Sequence, residues 1–194
     1  VGQNLQDHLQ ARPVFKTTEN TINTDIRKPI KRLAMALQYI VRRTGPMTMA
    51  ASLGTGFIKT HRSVETPDIQ YHIQPFSADK IADGPHKFSA FTASVCQLRP
   101  QSRGHIELSS PDVREHPKIF PNYLSSQVDQ DTMVAGVQIT RSICRKEPVA
   151  SMITEEHTPG SVIGIEDYDA TLDWIRNSST TIYHPVGTCK MGQD

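Results

Sequence analysis

Near the C-terminus the stretch TTIYHPVGTCKMG (180–192) sets His184 between Tyr183 and Pro185. An imidazole titrates near neutrality, so it can take up and return a proton at ordinary pH. Pro185 biases the backbone at His184 toward an extended conformation. Gly187 and Gly192 permit tight turns or close approach of the backbone to a ligand. That combination suits a general base on a rigid support. It also suits a packed structural histidine, and residue chemistry alone leaves that reading ahead of the catalytic one. A metal role is not expected, because Cys189 lies five residues on and no second Cys or His completes a zinc set.

The other histidines carry less. His72 sits on the polar side of an alternating run and reads as a solvated or cavity-lining residue; His61, His86, His105, His116 and His157 stand beside turn residues or charges and are expected at the surface. No GxSxG, Walker or HExxH signature is present. Gly54 and Gly56 begin like a dinucleotide loop, but Lys59 occupies the place of the third glycine, so the segment reads as a strand start.

The elements that must position His184 are legible from periodicity. A strand is expected over 12–18, and strict alternation over 68–76 places Ile69, Tyr71 and Ile73 on one face and Gln70, His72 and Gln74 on the other. Further strands are expected at 54–60, 91–99 and 104–110, the last two joined as a hairpin through 100–103, with a short extended piece at 119–124. Ile30, Leu33, Leu37, Ile40 and Val41 recur at spacings of three and four, which predicts an amphipathic helix over 28–43 with Pro29 near its start. Two more helices are predicted, over 129–145 with Asp129 as N-cap and over 166–179 with acids at its start. The fold class is therefore α+β, an antiparallel sheet with helices packed on it.

Composition excludes several functions. The chain has 194 residues, a hydrophobic fraction of 37% and a formal net charge of +1. It is globular in character, and nothing points to a nucleic-acid partner. No apolar run approaches the roughly 20 residues that span a bilayer. Cys96, Cys144 and Cys189 are odd in number and widely spaced, and are expected as reduced, mostly buried thiols.

Three separated stretches tip the balance at His184. VGQNLQDHL (1–9), LRPQSRGHIELSSPD with PKIFPNYLSSQVDQD (98–131) and YHPVGTCKMG (183–192) together resemble the glucose–methanol–choline (GMC) oxidoreductases, in the choline-dehydrogenase-like and alcohol-dehydrogenase-like style. The alternating strand and the segment at 45–57 are also similar to that family's substrate domain. The resemblance implies a junction segment at 1–10, a substrate-binding domain at 11–178, and at 179–194 the start of a C-terminal active-site segment. The Rossmann-type FAD domain and a second active-site His or Asn would lie outside the chain, which is expected to be part of a longer protein.

By the same resemblance the whole protein is an FAD-dependent dehydrogenase acting on CH–OH donors, oxidising a primary alcohol, choline among the candidates, to an aldehyde. His184 is its catalytic base. Asn4, Asp7, His8, Val186, Gly187 and Thr188 lie at the cofactor, and His72, Gln74 and Phe76 line the substrate site. The implied partners are the alcohol, the FAD-binding domain of the same protein and an unidentified electron acceptor. The isolated segment is expected to be inactive. An oxygen-using alcohol oxidase and a stand-alone binding module without redox activity are the alternatives. The expected location is the cytoplasm or the periphery of the inner membrane.

Overall fold

The computed structural model describes residues 1–50, 52–79 and 84–192; Ala51, within the stretch at 45–57 noted above, and the two terminal residues of the active-site segment lie outside it. The strands are β1 (Gln3–Leu5), β2 (Leu9–Ala11), β3 (Val14–Thr17), β4 (Gly54–Ile58), β5 (Ile69–Gln74), β6 (Ala90–Gln97), β7 (Gly104–Glu107), β8 (Lys118–Phe120), β9 (Ile153–Thr158) and β10 (Thr180–Thr181). The helices are α1 (Ile22–Asp25), α2 (Pro29–Arg42), α3 (Gln127–Cys144) and α4 (Tyr168–Ser178).

The pattern at 68–76 has its physical basis in β5. Tyr71 stands opposite Val95 of β6, and these two join Ile69 against Met133, Val134 and Val137 of α3 in the main core. Tyr71 also donates a hydrogen bond from its hydroxyl to the Gly136 carbonyl, 3.1 Å away. Gly136 lets helix and sheet come close, since a Cβ there would sit 3.0 Å from a Val95 methyl. Ile73, the third residue of the expected apolar face, lies beyond this contact and is exposed. On the opposite face Gln70, His72 and Gln74 stand across from Cys96, Ser94 and Thr92, so the side of the sheet away from α3 is polar.

All the strand pairs are antiparallel. In the seven-stranded sheet β6 is central: β5 and then β4 extend from one edge, while β2 and β3 share the other and carry β10 and β9 respectively. The second sheet runs β1-β7-β8. The expected hairpin between 91–99 and 104–110 does not form, because β6 and β7 belong to different sheets. The chain turns through Pro100–Arg103 to meet β1 instead, and Asp129 holds the turn by accepting from the Gln101 and Ser102 amides at 2.8 and 2.7 Å. That duty removes Asp129 from the cap. Ser126 is the N-cap of α3, and Asp129 lies inside the first turn. At α4, Asp167 caps by accepting from the Ala170 amide at 3.0 Å.

Two other expectations change. Cys96 and Cys144 are buried but Cys189 is exposed. His86 and His157 are half-buried, not freely exposed: both rings pack on Phe88, with centroids 4.7 and 4.9 Å from its own.

Candidate active site

The segments flanking His184 and the first eleven residues run side by side. Thr180 and Thr181 pair with Gln10 and Leu9. Ile182 then donates to the His8 carbonyl, Gln6 and Val186 exchange hydrogen bonds at 2.9 and 2.8 Å, and Gly2 donates to the Thr188 carbonyl. The first and last of the three sequence stretches are thus one antiparallel ribbon. The middle stretch joins through Arg103, whose Nε donates to Asn4 Oδ1 at 3.1 Å.

Asp7 holds this junction together. Its Oδ1 accepts from the His184 backbone amide at 2.9 Å, and its Oδ2 accepts from the hydroxyls of Tyr123 and Thr181. Burial pushes the Asp7 carboxyl up, but the donors from Thr181, Tyr123, His184 and His8 outweigh it and keep the group below its ordinary value. Burial, with the Asp7 carboxylate alongside, pushes the Tyr123 phenol up to about 12. Asp7 thereby fixes the main chain at the histidine without touching its ring.

The rings themselves converge. His184 Nδ1 lies 3.4 Å from His8 Nδ1 with the rings edge to face, and His8 Nε2 lies 3.1 Å from the Leu98 carbonyl oxygen. His72 approaches from the polar face of the sheet. Burial first, then the nearby His184 and His8, pushes its imidazole below 6.5. Its Nε2 is buried with no hydrogen-bond partner among the described residues. His184 is exposed and borders an open cleft of about 410 Å³, lined also by Gln6, His8, Leu98, Arg103 and Val186.

The remaining predicted residues fall into place around this centre. Asn4 has a left-handed φ of 64°, and its side chain is engaged by Arg103 and the Gly187 carbonyl. Gly187 is required by packing, because a Cβ at its φ of +97° would lie 2.2 Å from the Asn4 carbonyl oxygen. Thr188 offers its carbonyl to Gly2, and Val186 is exposed beside His184. Gln74 lies two residues along β5 from His72 on the same face, and Phe76, beyond the strand end, accepts from Thr92 through its carbonyl at 2.7 Å. Sequence reasoning missed Tyr123 and Thr181 as partners of Asp7. Their hydroxyls stand 116 and 174 residues away along the chain, and no local pattern marks them.

It also missed a group of possible metal ligands. Asp79, His86 and His157 bring one ligand atom each to within 4.8 Å of one another. The Lys16 ammonium lies 4.8 Å from the centre of the Phe88 ring on which both of those histidines pack, so a positive charge already borders that group.

Comparison with known proteins now bears on this geometry. A family model described as GMC oxidoreductase matches residues 100–194, which includes Arg103, Tyr123 and His184. Residues 100–194 are a GMC oxidoreductase domain. It is 37% identical over 199 residues to "Alcohol dehydrogenase [acceptor]" of Pseudomonas putida, and that match covers 100% of this chain and 35% of the relative. It is 34% identical to the mitochondrial choline dehydrogenase of Homo sapiens, again over 100% of this chain but 32% of the relative. The chain thus spans about a third of the length of these GMC enzymes. Among solved structures, a formate oxidase from Aspergillus oryzae superimposes with a TM-score of 0.84 over 98% of this chain and 38% of its own, at 20% identity. That likeness speaks for the GMC fold alone.

The pKa shifts predict how the junction responds to acid. His72 and His157 are both held below 6.5, so below that value the folded state binds fewer protons than the unfolded one and loses stability as pH falls. Asp7 and Asp129 are held below 3.8, so the stability they contribute is present above that value and is lost as pH falls through their lowered folded values. Acid loss should therefore come in two stages, and His72→Gln should reduce the upper one. Thermal midpoints of the full-length protein measured from neutral pH downward check this. A midpoint that stays flat until the carboxylate range contradicts it.

Proposed function

We propose that the full-length protein oxidises a primary alcohol to an aldehyde with FAD as cofactor, and that this chain supplies the base and one wall of the reaction site. The observation that carries the reading is His184, main chain clamped by Asp7 and ring open to a cleft, at the meeting point of the three sequence stretches. The residues fit the role. The cleft is of a size that takes a small alcohol and the edge of a ring system, not a whole dinucleotide. The orphaned Nε2 of His72 is a polar atom in want of a partner on the same side.

FAD, held mainly by residues outside this chain, supplies the hydride acceptor. The protein's own part is to orient the alcohol and take its proton. In its neutral form the His184 ring accepts the hydroxyl proton, and the loss of that proton drives the carbinol carbon to release hydride. The alcohol thus gives up one proton and one hydride and leaves as the aldehyde. His8 and Val186, which line the cleft, are assigned to its cofactor side; Asn4, Asp7, Gly187 and Thr188 position them through the ribbon. His72, with Gln74 on the same face and Phe76 beyond the strand end, is assigned to the substrate side. The segment limits at 10 and 178 belong to the same proposal; the second coincides with the end of α4, while the first falls within β2.

The relatives at 34–37% identity are named alcohol or choline dehydrogenases, those at 30–32% oxygen-dependent choline dehydrogenases, and a dehydrogenase is the reading taken to experiment. The test is anaerobic mixing of the full-length flavoprotein with a panel of primary alcohols that includes choline. Bleaching of the flavin absorbance is expected with at least one of them, and reoxidation by an added quinone or dye should outpace reoxidation by air. Stable flavin absorbance with every alcohol tested defeats the proposal.

A further inference from the structure

An amphipathic helix in a globular protein normally turns its apolar stripe to the core. In α2 the stripe points away from it. Ile30, Leu33, Leu37, Ile40 and Val41 are 58–84% exposed, whereas Met35, Ala36 and Tyr39, on the other side, are the half-buried positions. Beyond the helix Met47, Leu53 and Phe57 are exposed as well. Scattered exposed apolar residues need no explanation, but a contiguous row along one helix marks a surface that is covered in use.

Charge identifies what covers it. From 26 to 64 the chain holds Arg27, Lys28, Lys31, Arg32, Arg42, Arg43, Lys59 and Arg62 and not one Asp or Glu. The whole chain is only +1, so its remaining residues are net acidic and the cations are concentrated here. At 100° per residue Lys31, Arg32 and Arg42 lie on the side of the helix turned from the apolar stripe, the arrangement of an interfacial helix whose long cationic side chains reach back to the headgroups. Lys31 pairs with Asp25, but among the described residues Lys28, Arg32, Arg42 and Arg43 have no carboxylate partner. A second copy seated on the apolar row through a two-fold axis would bring the same acid-free stretch and leave those cations without a partner. An anionic leaflet instead offers a partner to every cation while it accepts the apolar row into the boundary between headgroups and acyl chains.

We infer that α2 and the segment following it form a docking surface for an anionic lipid bilayer, on which α2 lies in the plane of the interface. No helix among the described residues is long and apolar enough to cross a membrane, and the 14-residue α2 lies along the bilayer surface, not through it.

The test uses the full-length protein with vesicles of phosphatidylcholine alone or with about 30% phosphatidylglycerol, an anionic content in the range of charged leaflets. Sedimentation with the anionic vesicles is expected, at least about tenfold above the neutral ones, with release at raised salt. Leu33→Gln combined with Leu37→Gln should abolish binding while the rate of flavin reduction by alcohol in solution stays unchanged. Arg32→Gln with Arg42→Gln should weaken binding and leave thermal stability unchanged. Equal or absent binding to both vesicle types overturns the inference. So does a protein that ignores vesicles while the leucine variant loses thermal stability, which would mean that the rest of the chain covers α2. A dimer dispersed by the leucine variant, without vesicle binding, would assign the face to a second copy and overturn it as well.

Discussion

Replacing His184 by alanine is expected to slow anaerobic flavin reduction by alcohol by about two to four orders of magnitude, the range typical of a lost general base. The geometry makes this substitution unusually clean. Asp7 holds residue 184 through its backbone amide, and alanine keeps that amide. The ribbon hydrogen bonds between Gln6 and Val186 are likewise main-chain contacts. The variant should therefore keep its FAD and its thermal midpoint while losing the proton acceptor, so the loss falls on the rate constant of reduction rather than on folding. His8→Ala should cost less, since the His8 ring is tied to the Leu98 carbonyl and meets His184 only at 3.4 Å. Reduction by His184→Ala at the unaltered rate would remove His184 from the chemistry.

The largest expected loss of stability comes from Arg141→Ala. The Arg141 side chain is fully buried in α3, and its Nε lies 2.7 Å from Glu156 Oε1 on β9. Its other nitrogens donate to the carbonyls of Gly164, Ile163 and Gly160 at 3.1, 2.7 and 3.4 Å. One side chain thus ties the helix to the edge strand and to the loop that leads into α4, and α4 delivers the chain to β10 and His184. Truncation leaves a carboxylate that is only 12% exposed without its cation, together with three carbonyls that have lost a donor. Breaking a buried pair from one side costs about 3–5 kcal/mol. Urea unfolding of the full-length protein should show a loss of that size, and Glu156→Gln in the Arg141→Ala background should recover part of it. A loss below about 1 kcal/mol would mean that water replaces the guanidinium and that the brace is dispensable.

Periodicity gave the element types along most of the chain for a physical reason. Alternation at 69–74 and the recurrence of Met133, Val137, Thr140 and Cys144 along α3 reflect which side chains each element can bury, and that is a local property. Partner choice is not local. The stretches 91–99 and 104–110 look like a hairpin because they are close in sequence, yet β7 pairs with β1, a hundred residues earlier, and Asp129 turns the chain between them. The same duty explains why Asp129 was misread as a cap. The strand β9 carries Glu155, Glu156 and His157 and escaped notice because its acidic residues answer Lys16 and Arg141 rather than a hydrophobic pattern.

The sequence by itself determined the α+β class, singled out His184 by its neighbours, and through three ordered stretches pointed to the GMC oxidoreductases. Only the tertiary structure decided that Asp7 holds the His184 main chain, that the His8 ring meets the His184 ring, and that the apolar row of α2 faces outward. Each of these is a contact across many residues, or the direction in which an amphipathic face turns. Spacing along the chain encodes which residues share a face, but the free energy of packing that face against a particular partner exists only once the chain has folded.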